Sequence, residues 1–479
     1  MTVMPTAAKR LSVGTGDVLA GISAERTLNY EIDHGNSDLF KIGRILGIAG
    51  PFHSQTPWEL SDQHGHHLIN AGGYSALPFG EMYPPLVTFI RRFLEENRSM
   101  GFPQQSAAEW RAALEESLVA LLTEVAPSHE DSRIFFSNSG SEAIEAAIKF
   151  VRTARPKAKY LINFTRGFHG KTSGALSLTA NEEYQVPFRP LLPDVVTLPY
   201  GDVEALHEGL RQLRPDRVAG IVLEPIQGEA GVIVPPAEFL PAVERIRQEH
   251  GIVVVADEIQ SGLGRTGHLF ASVDQGLDPD IVTLAKPLGG GIVPIGATIA
   301  RKWIARKMLG GLACKRHSNT FGGGSLAMAV GLRSLEIIVE EDLVSRSREL
   351  GQRGRERLEE IKKKYPHFLQ EVRGAGMLFA LQLQRVLPVS AFPAASEMVG
   401  QLGSILAVST FHKAGLHVCF TLNAGQVVRL SPALTMPDEL FDEMFDRVEL
   451  AASENPKASK MLKRTPPRQL LELMKAALV

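Results

Sequence analysis

Between about residues 131 and 335 the chain repeats one alternation: short β-branched runs bounded by Gly, Pro or Asp, separated by segments of helical period. The runs are "RIFFSN", "KYLINF", "DVVTLP", "AGIVLEP", "GIVVVADE" and "DIVTLA". They are continuous in apolar character, as strands covered on both faces are, and too short for helices. The intervening "SEAIEAAIKFVRTA" and "PAEFLPAVERIRQEH" carry apolar residues three and four positions apart. Strands alternating with amphipathic helices leave few folds open; the pattern predicts a parallel α/β sheet with right-handed crossovers.

The chain of 479 residues has room for further units around that sheet. Its last third changes character. A long polar helical stretch, "SRSRELGQRGRERLEEIKKKY", precedes "EVRGAGMLFALQLQ" and "GQVVRLSPAL", which read as strands of a smaller α+β unit. The final "NPKASKMLKRTPPRQLLELMKAALV" is basic and then amphipathic, the pattern of a solvated helix packed on the body.

Charge and cysteine content narrow the function classes. A net charge of −2 gives no pull toward nucleic acid. Cys314 and Cys419 are too few for a disulfide framework and lack metal-ligand spacing, so no metal ligand is assigned. No apolar run approaches the ~20 residues that cross a bilayer. Asp17 and several glycines interrupt the N-terminal stretch where a secretory signal would need a continuous apolar run. A cytoplasmic protein that engages neither nucleic acid nor membrane is expected.

The stretch "ADEIQSGLGRTGHLF" contains a literal G-x-G-x-x-G at Gly262, Gly264 and Gly267. A dinucleotide site needs its first glycine directly after a strand and its last inside a helix. Here "EIQS" separates the strand from Gly262, and "HLFASVDQGLDPD" shows no sustained helical period. The glycines are expected instead to form a tight irregular loop in which positive φ costs little. A nicotinamide dehydrogenase, suggested by that pattern alone, ranks last.

Three features remain at the expected strand ends. Asp257 closes "GIVVVAD", and Lys286 follows the next run, "IVTLA". In a parallel sheet both strands end at the edge where ligands bind. A lysine there is partly desolvated, which favours the free amine, although an acid beside a lysine also describes an ordinary ion pair. Ser139, Gly140 and Ser141 lie between a strand and a helix whose residues Ala143, Ile144, Ala147, Ile148 and Val151 share a face. The free N–H groups of its first turn and two hydroxyls would seat a phosphate, or Ser139 would simply cap the helix. Phe168 in "GFHG" offers an aromatic plane. Phosphate seat, acid, amine and ring together are the set that pyridoxal 5'-phosphate requires.

From about residue 62 to 437 the sequence resembles the class III (ω-) aminotransferases of the fold type I pyridoxal phosphate enzymes. The motifs are "SNSGSEAIEAAIK", "GFHGKTSGALSLT", "VLEPIQGEAGV", "ADEIQSGLGRTG", "PDIVTLAKPLGGGIVPIGATIA" and "NTFGGGSLAMA". The resemblance implies a large domain with a mostly parallel seven-stranded sheet flanked by helices, and a smaller α+β domain built from both termini. The expected boundaries are 1–75 for the N-terminal part of the small domain, 76–345 for the large domain, 346–454 for the C-terminal part and 455–479 for the tail. By the same resemblance Lys286 would form the internal aldimine and shuttle the substrate proton. Asp257 would keep the pyridine nitrogen protonated, and Gln260 would hydrogen-bond the ring's phenolic oxygen. Ser139, Gly140 and Ser141 would hold the phosphate, Phe168 would cover the ring, and His169 and Glu224 complete the cofactor-binding set. Thr320 of "TFGG" would reach the phosphate bound in a neighbouring subunit, implying a homodimer with shared sites; pairing of dimers into tetramers stays open. Glu229 would be a gate over Arg429, which binds a carboxylate when a diacid such as 2-oxoglutarate arrives.

Departures bear on the amine donor. Relatives acting on ornithine, acetylornithine or 4-aminobutyrate usually carry "HGR" where this chain has "HGK"; Lys171 lacks the planar fork that grips a carboxylate. Other stretches look most like putrescine aminotransferases. "GYSALPFGEMYP" resembles instead the ornithine aminotransferase segment whose tyrosine, here Tyr74, touches the donor. Pro287 follows the lysine, where a proline suits a helical start. The expected activity is transfer of a terminal amino group from a diamine or ω-amino compound to 2-oxoglutarate by a ping-pong mechanism. Putrescine-like donors lead, with ornithine, acetylornithine or 4-aminobutyrate next. An aminomutase, racemase or decarboxylase could use the same cofactor residues, but the pairing of Glu229 with Arg429 favours two-substrate switching. A non-catalytic binding subunit would have little reason to keep Lys286, Asp257 and Gln260 together.

Overall fold

The computed structural model describes residues 12–96, 105–386, 393–468 and 472–473. Its central sheet has seven strands: β1 (Arg133–Ser137), β2 (Tyr160–Phe164), β3 (Val195–Leu198), β4 (Val218–Leu223), β5 (Val253–Asp257), β6 (Ile281–Leu284) and β7 (Gly296–Ala300). They lie in the order β1-β7-β6-β5-β4-β2-β3. Strands β2 to β6 pair in parallel. Strand β7, from "PIGATIA", was not among the runs picked out by composition, and it enters antiparallel to both neighbours. The physical reason is its connection, a short turn at Lys286–Gly289 with no crossover helix, so the chain doubles back.

Alternate residues of each buried strand face opposite layers. Val253 and Val255 pack with Ala143-side residues such as Ile144, Ala147 and Val151 of the helix Gly140–Ala154. Ile252 and Val254 pack with Phe239, Val243 and Ile246 of the helix Phe239–His250 on the other face. Complete burial of one such side chain contributes about 1.5–3 kcal/mol. The five residues expected to share one face of Gly140–Ala154 are all buried.

Two smaller sheets flank this layer. The strands Leu369–Ala375 and Leu378–Leu383 form a hairpin extended by Val427–Leu430 and Cys419–Phe420, with the polar helix Leu343–Lys364 against the hairpin. A second sheet joins His53–Thr56, Glu59–Ser61 and His67–Asn70 to Leu416–His417. Leu416 pairs with Ile69 and His417 with Asn70, so segments from the two ends of the chain share one sheet. The loop carrying the spurious glycine motif is irregular as expected, with φ +89° at Gly264 and +85° at Gly267. It packs against the hairpin turn so closely that a Cβ on Gly376 would lie 2.5 Å from the Gly267 nitrogen. In the tail, Ser459–Arg464 is a helical turn with Met461 buried and Lys463 and Arg464 exposed; residues 469–471 and 474–479 lie outside the described residues. Among the described residues no helix is long and apolar enough to cross a membrane.

Candidate active site

Asp257 ends β5, and its lateral partner on β6 is Thr283, three residues before Lys286. The acid and the amine therefore leave adjacent parallel strands at one edge of the sheet. They line a single cavity of about 470 Å³ with Ser139, Gly140, Ser141, Phe168, His169, Glu224, Glu229 and Gln260. Every expected cofactor residue except Thr320 is thus brought to one place. Thr320 is exposed and does not line the cavity of its own chain.

Ser139 caps the helix, its hydroxyl accepting a hydrogen bond from the Glu142 N–H at 3.2 Å, and it also lines the cavity. Asn138 donates its backbone N–H to Glu142 Oε2 at 2.7 Å and fixes the entry into that turn. Lys286 has φ +21°, on the border of the left-handed region, and starts the tight turn that includes Pro287. Its side chain is half-buried because it looks into the cavity, yet protein surrounds it. Burial lowers its pKa and Arg429 adds to this, against the opposing charges of Glu229, Asp257 and Glu224. The result is a lysine shifted toward its nucleophilic form.

Asp257 is held from three sides. His169 Nδ1 lies 2.6 Å from its Oδ2, while the Ile259 N–H and Thr283 hydroxyl donate to Oδ1 at 3.2 and 3.3 Å. Burial opposes charge on His169, but the hydrogen bond and field of Asp257 outweigh it and raise the histidine's pKa. The sequence places His169 only in the cofactor-binding set; its contact with Asp257 is seen in the structure alone. Glu224, from the same set, accepts the N–H of Phe168 at 2.9 Å and of Gly228 at 3.3 Å, clamping the loop that carries the aromatic ring. The strip Gly291–Ile295 lines the cavity too, although no residue of it was singled out. Its position directly after the lysine turn, at the same sheet edge, was the available signal.

Burial raises Glu224 to about 7, with Asp257 and Glu229 adding and His169 opposing. A carboxyl with a raised folded pKa binds its proton more tightly when folded. Its stabilising contribution is therefore present below its ordinary 4.5 and lost as pH rises through about 7. His169 contributes with the same sign. Urea unfolding of cofactor-free protein between about pH 5 and 8 should show wild type losing stability more steeply than Glu224→Gln, by up to ~1.4 kcal/mol per pH unit. Parallel curves for the two proteins would contradict the assignment.

Glu229 and Arg429 form a buried pair, Nη1 to Oε1 at 2.5 Å, and the Leu422 N–H donates to Glu229 Oε2 at 3.1 Å. Burial opposes ionisation of Glu229, but Arg429 and Lys286 more than compensate and its pKa falls. Arg429 Nε and Nη2 have no hydrogen-bond partner among the described residues. The Arg429 guanidinium lies 5.6 Å from the ring centre of Tyr74, which is itself largely exposed. Gln260 bridges the two regions, accepting from Arg429 and donating to the Tyr74 carbonyl, each at 3.4 Å. Lys171 stands apart: it is exposed, does not line the cavity, and holds its ammonium 4.2 Å from the Tyr184 ring centre.

Residues 56–452 match the family model for aminotransferase class III. The chain belongs to the class III aminotransferases. Among solved structures, this class III chain is similar to an ornithine aminotransferase from Toxoplasma gondii, with TM-score 0.73 and 26% identity over 86% of this chain and 91% of that one. An amine transaminase from an uncultivated Pseudomonas species gives TM-score 0.73 and 26% identity, covering 84% and 94%. An (S)-enantioselective ω-transaminase from Thermomicrobium roseum gives TM-score 0.77 and 25% identity, covering 90% and 99%.

This class III enzyme uses pyridoxal phosphate, and the donor chemistry of the cavity fits that group. The helix turn at Ser139–Ser141 presents N–H groups and hydroxyls to a phosphate. Asp257, oriented by His169, would hold a proton on the ring nitrogen, and Phe168 would wall the ring. The bound cofactor supplies an electrophilic carbon and an electron-withdrawing ring. With the cofactor bound, Lys286 would supply the amine that holds it and a base able to carry a proton.

Proposed function

We propose that this aminotransferase takes a terminal amino group from a diamine or ω-amino compound, putrescine-like donors first, and delivers it to 2-oxoglutarate. The observation that carries this reading is the buried Glu229–Arg429 pair beside the cavity. While the pair is closed, the arginine's charge is neutralised and a carboxylate-free amine meets an uncharged wall. Displacement of Glu229 frees a guanidinium whose other nitrogens have no partner among the described residues, open to a bidentate carboxylate contact. One pocket then serves two chemically different substrates in turn. Exposed Lys171 supports a donor without a carboxylate, because no arginine occupies that position. Ornithine, acetylornithine and 4-aminobutyrate remain the alternative donors, and Tyr74 beside Arg429 is the contact that favours an ornithine-like one.

The decisive experiment is a panel of diamines, ω-amino acids and α-amino acids with 2-oxoglutarate, scored by glutamate formed. Stoichiometric glutamate with a diamine supports the reading. Interconversion of a substrate with no keto acid present would replace it with an isomerase.

The same reading includes a homodimer in the cytoplasm, with Thr320 completing the partner's phosphate seat, and a division of the chain near residues 75, 345 and 454. Thr320 is exposed in its own chain, as a residue working across an interface must be before assembly. Thr320→Ala should weaken cofactor retention about tenfold, the loss of one hydrogen bond to a charged group, measured by cofactor dissociation during dialysis. Unchanged retention would count against the shared site.

A further inference from the structure

Far along the chain from the catalytic lysine, the turn between Glu59–Ser61 and His67–Asn70 reads "DQHGH". Asp62 there is buried, and its Oδ1 accepts the backbone N–H groups of His64 at 2.8 Å and His66 at 3.0 Å. Those bonds fix the carboxylate and leave Oδ2 facing two imidazoles. His66 Nδ1 lies 2.9 Å from Oδ2, and His412 Nε2 lies 3.1 Å from it. His412 comes from the end of the helix Pro393–Lys413, 350 residues later in the chain. The three ligand atoms all lie within 4.8 Å of one another. Asp62 and His412 are nearly closed off, with side chains 4% and 9% exposed, whereas His66 is 68% exposed.

We propose that Asp62, His66 and His412 bind one divalent transition-metal ion of the zinc type, with water in the position open to solvent. Two imidazole nitrogens and one carboxylate oxygen are a donor set for Zn²⁺, Co²⁺ or Ni²⁺, and Mg²⁺ and Ca²⁺ prefer oxygen alone. Ligand bonds of about 2.0–2.2 Å place tetrahedral donor atoms about 3.3–3.6 Å apart, so a small opening of the present contacts admits the ion. The backbone bonds to Oδ1 orient the carboxylate, the task that outer partners perform around metal ligands. His64 is outside the set: the ligand atoms that lie within 4.8 Å of one another belong to Asp62, His66 and His412. The ion would tie the N-terminal hairpin to the C-terminal helix. No metal ligand was assigned from sequence, since the third ligand is separated from the other two by most of the chain. The site is independent of the amine donor and of the gate.

The test uses untagged, chelator-treated holoenzyme freed of excess cofactor, titrated with Zn²⁺ in a calorimeter and with Mg²⁺ as the control. The expected result is one saturable Zn²⁺ site per chain of micromolar affinity or tighter, no Mg²⁺ uptake, and a higher melting temperature with zinc. His66→Ala, whose ring is exposed and dispensable for folding, and His412→Gln should each weaken Zn²⁺ binding about 100-fold, while His64→Ala leaves it unchanged. Absence of saturable uptake, or uptake undiminished in both His66→Ala and His412→Gln, would overturn the assignment. Catalytic assays play no part, so failure here leaves the aminotransferase reading intact.

Discussion

Lys286→Ala should fold and bind pyridoxal phosphate reversibly but lose transamination by about 10⁴-fold or more, the upper range for removing a positioned proton-transfer group. The fold is expected to survive because Lys286 makes no ion pair among the described residues and stands in a turn between strands whose own residues are buried. Two measurements separate this from general damage. Borohydride treatment should fix cofactor to wild type and not to the variant, and thermal unfolding should stay within a few degrees of wild type. The mechanism follows from the cavity. Burial and Arg429 shift the lysine toward its neutral form, and the acid on the neighbouring strand end is fixed by His169. A variant that turned over at the wild-type rate would mean that another base serves the reaction.

Arg429→Ala is expected to split the two half-reactions. The keto acid half-reaction should lose about 10²-fold or more in kcat/KM, the scale of a truncated buried charge pair. The half-reaction with a carboxylate-free diamine should change less than about tenfold, because of the two partners it is Glu229 that lines the cavity. Stability should also fall by about 3–5 kcal/mol at neutral pH, since Glu229 keeps the Leu422 N–H but loses its buried counter-charge. Glu229→Gln should be gentler, as an amide still accepts from Arg429. Rapid-mixing measurements of each half-reaction decide the matter. Equal losses in both would make the pair a structural tie and remove the basis for switching between substrates.

Much of the large sheet was legible before any coordinates. The runs from "RIFFSN" to "DIVTLA" became strands, and the two amphipathic segments became helices on opposite faces. The glycine motif was rightly set aside: its glycines turn a loop that presses on Gly376, an approach that only backbone without side chains allows. The antiparallel entry of β7 was less legible, because what reverses the chain is the brevity of a connection rather than any residue within the strand. At the site, the sequence brings Asp257 and Lys286 together and places His169 and Glu224 in the cofactor-binding set, but not the contacts by which they orient Asp257 and clamp Phe168.

The division has a physical cause. Where an acid and an amine end neighbouring parallel strands, the two-residue period of the strand and the shared direction of the chain place them at one edge, and both can be read locally. The sequence by itself therefore determined the layered core and the facing of Asp257 toward Lys286. Contacts such as His169 to Asp257, Arg429 over Tyr74, and His412 against Asp62 join loops and helix ends tens to hundreds of residues apart. No periodicity encodes them. They exist only once the helices have packed and the two ends of the chain have met in one sheet, so the tertiary structure alone decided them.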